Sequence, residues 1–247
     1  MKYVIKTANK EIVGYQILPK MDRDTYPIIL ISHGLGGALD SSLPYARAFA
    51  GFGIASYIFD FCNCNKRSSG NPEDMSIMTE VEDLETVLET VKKWGFVDLK
   101  QIYLCGRSQG GVVSAIVGAR HKEEVAGLIL LYPAFVIMDQ IHELFSSIEE
   151  VPRIYSYLEE TLGYVYASDI WEYDPYREIG RFSKPVLLLH GTKDILVPII
   201  YSERAKEVYR KAELYLIEGG EHGFSDQYFV KAVKYIERFL KKQIDEL

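Results

Sequence analysis

Three residues of this 247-residue chain have the types and the order needed for nucleophilic acyl transfer: Ser108, Asp194 and His222. Ser108 stands in Gly106-Arg107-Ser108-Gln109-Gly110, after the apolar run Ile102-Tyr103-Leu104-Cys105 and before the helix-like run Val112-Val113-Ser114-Ala115-Ile116-Val117. A serine on a sharp strand-to-helix turn needs glycine two positions to either side, because a side chain there collides with the neighbouring strand or helix. Its hydroxyl is a weak nucleophile until a base takes the proton. His222, in Gly219-Gly220-Glu221-His222-Gly223-Phe224, follows the last strand-like run and is the candidate base. Asp194, in His190-Gly191-Thr192-Lys193-Asp194, is the candidate acid that fixes the imidazole tautomer and stabilises its charged form. Met singly, such a histidine reads as a loop residue and such an aspartate as a helix cap. Three of them at three strand ends, in the order Ser, Asp, His, point to catalysis.

A tetrahedral intermediate also needs fixed donors for its oxyanion. The backbone N–H of Gln109 is one candidate, and that of Leu35, in Ser32-His33-Gly34-Leu35-Gly36-Gly37, is the other. This glycine-rich loop lacks the Lys-Ser or Lys-Thr that a phosphate cradle requires. His33 and His190 read as structural, hydrogen-bonded histidines, since the chain order gives the base to His222. Such chemistry needs no metal and no organic cofactor. Cys62 and Cys64 lack a second Cys or His pair to complete a tetrahedral zinc site, and with Cys105 they read as ordinary reduced thiols.

Positioning these residues requires a sheet. Eight apolar, β-branched runs begin near Tyr3, Ile12, Ile28, Ala55, Ile102, Leu128, Val186 and Leu214, with helical stretches between them. The alternation predicts an α/β fold, a mostly parallel sheet with helices on both faces. The first two runs are joined by the polar turn Ala8-Asn9-Lys10, too short for a crossover, and predict an antiparallel hairpin at the sheet edge. Met78, Val81, Leu84, Leu88 and Val91 recur at helical spacing, which predicts a packing helix without chemistry. The stretch 134–183 is too long for a simple connection. It predicts a helical cap inserted into a core made of 1–133 and 184–247. Its rings, Trp171 among them, are candidates to hold an apolar or aromatic acyl group, or they form the cap's own core.

With 48% hydrophobic and 26% charged residues the chain can bury a sizeable core in one cooperative unit. The net charge of −7, with Lys and Arg scattered among Asp and Glu, argues against a nucleic-acid surface. Met1-Lys2-Tyr3-Val4-Ile5-Lys6 holds no long apolar run, which predicts neither signal peptide nor membrane anchor and a cytoplasmic chain. The expected partner is a small-molecule ester, and the sequence assigns no oligomeric state.

On these motifs, with Phe59-Asp60-Phe61 and Glu221-His222-Gly223-Phe224-Ser225 added, the sequence resembles bacterial feruloyl or cinnamoyl esterases. It resembles also the wider group of small capped α/β-hydrolases that includes monoacylglycerol lipases and serine aminopeptidases. The resemblance implies the α/β-hydrolase fold and a carboxylesterase working through an acyl-enzyme. Two positions depart from it: Arg107 stands where relatives often have His, and Cys62-Asn63-Cys64-Asn65-Lys66-Arg67 replaces a Gly-His-Gly-containing turn. Arg107 either favours an anionic substrate or binds a surface carboxylate. An aminopeptidase would need cap carboxylates for the substrate's amino group, for which Glu149, Glu150, Glu159 and Glu160 are available. A non-enzymatic binding protein on the same scaffold would be expected to lack a member of the triad.

Overall fold

The computed structural model describes residues 1–244. The strands β1 (Lys2–Lys6) and β2 (Glu11–Ile17) pair antiparallel, as their short polar turn requires. Next come β3 (Tyr26–Ser32), β4 (Ala55–Phe59), β5 (Val97–Arg107) and β6 (Gly127–Leu131). A separate hairpin, β7 (Ile154–Tyr157) and β8 (Glu160–Gly163), precedes β9 (Val186–Gly191) and β10 (Ala212–Ile217). Eight strands make one sheet in the order β1-β2-β4-β3-β5-β6-β9-β10. From β4 through β10 its pairs are all parallel. The eight runs read from the sequence are these eight strands.

Parallel pairing needs crossovers, and the helices supply them. These are α1 (Leu43–Gly51), α2 (Ile77–Val91), α3 (Gln109–Arg120), α4 (Ile137–Leu144), α5 (Tyr164–Ser168), α6 (Pro175–Ile179), α7 (Ile200–Val208) and α8 (Asp226–Lys241). Alternate strand residues feed two separate apolar layers, as the period-two side-chain geometry dictates. Ile28, Leu30, Leu104, Leu130 and Leu188 pack with Val81, Leu84, Val113 and Ile116 of α2 and α3. Ile29, Ile31, Cys105, Ile129 and Leu189 pack with Phe49 of α1 and with Ile236, Phe239 and Leu240 of α8. Each such fully buried side chain contributes roughly 1.5–3 kcal/mol, so the sheet is a rigid platform for whatever stands on its strand ends.

The helix α2 starts at a capping box: Ser76 Oγ accepts from Thr79 N–H, and Thr79 Oγ1 accepts from Ser76 N–H. Its apolar stripe is buried as its spacing predicts, yet Glu80 and Asp83 are buried with it. The stretch between β6 and β9 is less purely helical than its length and composition predict. Besides α4, α5 and α6 it holds the hairpin β7–β8, closed by Leu158 and Glu159 at φ 47° and 66°. Tight hairpin turns of this hand normally carry Asn-Gly or Asp-Gly. Leu-Glu sends no such signal. The helix α6 packs against α3 and returns the chain to β9. Among the described residues no helix is long and apolar enough to cross a membrane.

Candidate active site

Ser108 lies between the end of β5 and the start of α3 at φ 53°, ψ −123°, a left-handed conformation for a residue with a side chain. The turn is held by Ser108 N–H donating to Leu131 O (3.0 Å) and by Ser108 O accepting from Ala134 N–H (3.0 Å). Its tightness explains the flanking glycines. A Cβ on Gly106 would stand 2.0 Å from Gly110 O, and one on Gly110 would stand 2.3 Å from His33 O. Such strain persists only where the surroundings over-determine it.

The three residues singled out in the sequence meet here. Ser108 Oγ donates to His222 Nε2 at 3.0 Å, and His222 Nδ1 donates to Asp194 Oδ2 at 2.8 Å. His222 is carried by the loop after β10 and Asp194 by the loop after β9, so parallel strand direction places all three at one sheet end. Tyr132, at φ 39° after β6, sets its ring edge-to-face against His222 with centroids 4.7 Å apart. The buried side chain of Asp194 accepts from three donors and has a fourth N–H group close by. Oδ1 takes Leu196 N–H (3.0 Å) and Val197 N–H (2.9 Å), while Oδ2 takes His222 and has His190 Nε2 beside it at 3.3 Å. Burial alone raises a carboxyl's pKa. The interactions with His190, His222 and Val197 overcome that here and hold Asp194 well below the usual carboxylate range.

His190 and His33 are held by the scaffold, as the sequence suggests. Val197 C=O can only accept, so His190 carries its proton on Nε2 and donates to it at 2.8 Å, while Ser202 Oγ donates to Nδ1 at 2.7 Å. Phe61 N–H donates to His33 Nε2 (3.1 Å), which leaves Nδ1 to donate to Gly34 O (2.8 Å). Burial pushes His33 down to about 4, so it is neutral at pH 7. Gly34 brings the His33–Gly37 loop against the nucleophile: a Cβ there would lie 2.9 Å from Ser108 Cβ. The loop that holds Leu35 therefore passes beside Ser108, and Gln109 follows Ser108 in the chain. Gln109 heads α3, where a first-turn N–H has no intrahelical partner.

Behind Gln109 stands a polar layer with no clear mark in the sequence. The Gln109 side chain is buried; its Oε1 accepts from Tyr166 OH at 2.7 Å, and its Nε2 contacts Met75 Sδ at 3.7 Å. Beside it, Glu80 is pushed up to about 8, chiefly by burial and further by Asp83, against a hydrogen bond with Gln109. Asp83 accepts from Cys62 N–H and from Lys10 Nζ, both at 2.6 Å. Asp60 accepts from Leu39 N–H, Arg67 N–H and Arg67 Nη1. These two aspartates pin the loop that carries Cys62 and Cys64, both buried free thiols. Helical spacing could not tell the inward-facing Glu80 and Asp83 from the solvated acids beside them.

Arg107 resolves toward the scaffold. Its Nη1 donates to Ser41 O at 3.0 Å, its Nη2 bonds Ser41 Oγ, and its guanidinium lies over the Tyr45 ring. The aromatic rings of residues 134–183 divide. Phe135 packs on Tyr176, Phe145 on Tyr155 and Tyr157 on Tyr166, and these rings join the same apolar layer as α2 and α3 instead of forming a core of their own. Trp171 packs on His142 with ring centroids 4.4 Å apart and tilted by 44°, and it lines a cavity of about 250 Å³ with Met138, Tyr176 and Tyr201. No triad residue lines that cavity.

The model of the family described as "Serine aminopeptidase, S33" matches residues 24–167, more than half of the chain. The uncharacterized protein YqkD of Bacillus subtilis is 28% identical over 235 residues, covering 90% of this chain and 73% of that protein. Among solved structures, Est1E from Butyrivibrio proteoclasticus with ferulic acid bound superposes with a TM-score of 0.91 at 23% identity, covering 98% of each chain. Monoacylglycerol lipase from Paleococcus ferrophilus gives 0.71 at 16% identity, covering 94% of this chain and 99% of that one. These likenesses identify the α/β-hydrolase fold.

Proposed function

The chain belongs to the serine aminopeptidase S33 family of α/β-hydrolases, and from that premise we propose that it is a serine carboxylic-ester hydrolase acting through an acyl-enzyme. The relay from Ser108 through His222 to Asp194, 3.0 and 2.8 Å long, is the observation that carries this reading. Ser108 Oγ attacks the ester carbonyl as its proton passes to His222 Nε2. Leu35 and Gln109 N–H groups stabilise the oxyanion, and His222 returns the proton to the departing alcohol. Water activated by His222 then hydrolyses the Ser108 ester. Residues 134–183 are the cap in this reading, and small aromatic or aliphatic acyl esters are the substrates. The test is turnover of p-nitrophenyl acyl esters and methyl ferulate by the parent and by Ser108→Ala, with intact-mass detection of the adduct. Turnover and adduct in the parent, both lost in the variant, support the assignment; activity equal in the two refutes it.

One observation favours a second reading, an aminopeptidase. Of the four cap glutamates considered, Glu160 approaches the oxyanion loop: a Cβ on Gly36 would stand 2.3 Å from its Oε1. A half-buried carboxylate there suits a substrate ammonium group, whereas Glu149, Glu150 and Glu159 are exposed. Turnover of an aminoacyl anilide above that of the matching ester, lost in Glu160→Gln, would favour this reading.

A further inference from the structure

We propose that the cleft beside His222, floored by Ile195 and Leu196, is the site of the ester's alcohol part, and that this alcohol has an apolar body of several carbons. The proposal rests on the serine-esterase reading above. In acylation the bond from Ser108 Oγ to the carbonyl carbon forms, the carbon–alkoxy bond breaks, and the proton taken from Ser108 passes from His222 Nε2 to the alkoxy oxygen. The alcohol therefore leaves on the side of His222. His222 also lines an open cleft of about 580 Å³, together with Lys193, Ile195, Leu196 and Glu221.

The floor of this cleft is unusual in being both apolar and fixed. Ile195 is 91% exposed and Leu196 43% exposed. An isolated exposed apolar residue needs no explanation, but two adjacent ones beside a reacting histidine form a surface that a ligand can cover. Their backbone is not free to turn them inward. Asp194 Oδ1 accepts from Leu196 N–H and Val197 N–H, and Val197 is buried at the next position. The carboxylate that orients His222 thus also fixes the strip of chain that presents Ile195 and Leu196. Lys193 and Glu221, one of each sign at the rim, leave the cleft without a net charge to select an anionic or cationic alcohol.

The experiment holds the acyl group constant, so that every substrate passes through one acyl-enzyme and kcat/KM differs only by the alcohol. Octyl acetate and methyl acetate are compared for the parent, Ile195→Ser, Ile195→Leu and, as a distant surface control on α8, Val230→Ser. Expected is an octyl-to-methyl ratio of about ten or more in the parent, retained in Ile195→Leu and Val230→Ser, and cut at least fivefold in Ile195→Ser; a missing contact of this size in an apolar site is worth about tenfold. A small fluorophosphonate supplies the independent arm. An adduct on Ser108 with a ratio near one, or with a ratio that Ile195→Ser leaves unchanged, overturns the alcohol site alone. Absence of the adduct in the folded parent overturns both the site and the esterase reading.

Discussion

Replacing Asp194 by asparagine changes one atom, and the N–H groups that surround this carboxylate determine the consequence. In one orientation the new NH₂ takes the place of Oδ2 and faces two N–H donors, His222 Nδ1 and His190 Nε2. His190 keeps its proton because Nε2 also donates to Val197 O. His222 must then shift its proton to Nε2, where it points at Ser108 and can no longer accept. In the flipped orientation the NH₂ faces the N–H groups of Leu196 and Val197. A buried donor left without an acceptor costs about 1–3 kcal/mol. Neither orientation preserves both the relay and the loop. The wrong tautomer in a Ser-His-Asp relay lowers kcat about 10⁴-fold, roughly 5.4 kcal/mol of transition-state stabilisation. The assay is steady-state hydrolysis of p-nitrophenyl acetate by Asp194→Asn and the parent at pH 7.5, with a thermal melt of each. An asparagine variant that keeps more than about a tenth of the parent kcat would refute this reasoning, because the tautomer would then not depend on Asp194.

Gly34→Ala is expected to cut kcat/KM by at least about tenfold, since its methyl would crowd Ser108 Cβ at 2.9 Å and Oγ at 3.5 Å; steady-state kinetics beside an unchanged melt would show it. Glu80, with its pKa raised to about 8, keeps its proton in the folded protein where the unfolded chain has released it. Stability from this group is therefore lost as pH rises from about 4.5 toward 8, and Glu80→Gln is expected to flatten that part of a melting-temperature profile. Asp194 works in the opposite sense: its lowered pKa contributes stability above the usual carboxylate range that is lost on acidification. Arg107→Ala is expected to lower stability by about 1–3 kcal/mol through the lost bonds to Ser41, read by urea denaturation. Its ratio of anionic to neutral ester turnover should stay at the parent value.

What the sequence made legible is tied to repetition and to glycine. The central strands β3, β4, β6 and β9 announced themselves because each is a short apolar run buried on both faces, and the nucleophile turn because its glycines are forced by contacts near 2 Å. The same logic found Asp194 and His222, each at a strand end. The hairpin β7–β8 was hidden by a Leu158-Glu159 turn that lacks the usual residues. The inward acids Glu80 and Asp83 were hidden too, because their burial depends on partners 29 and 73 residues away in the chain, Gln109 and Lys10. Arg107 could be placed only once Ser41, 66 residues away, was seen beside it.

The left-handed backbone of Ser108 and Tyr132 gives this site a history as well as a geometry. Each such residue stores about 1–3 kcal/mol that the rest of the fold must offset, out of a total stability of about 5–15 kcal/mol. Glycine at position 108 would release that strain and abolish the nucleophile in one step. A descendant freed from the demand for turnover would gain stability by that single change, whereas a catalytic lineage must keep refusing it. The turn is thus a place where selection for folding and selection for chemistry pull in opposite directions.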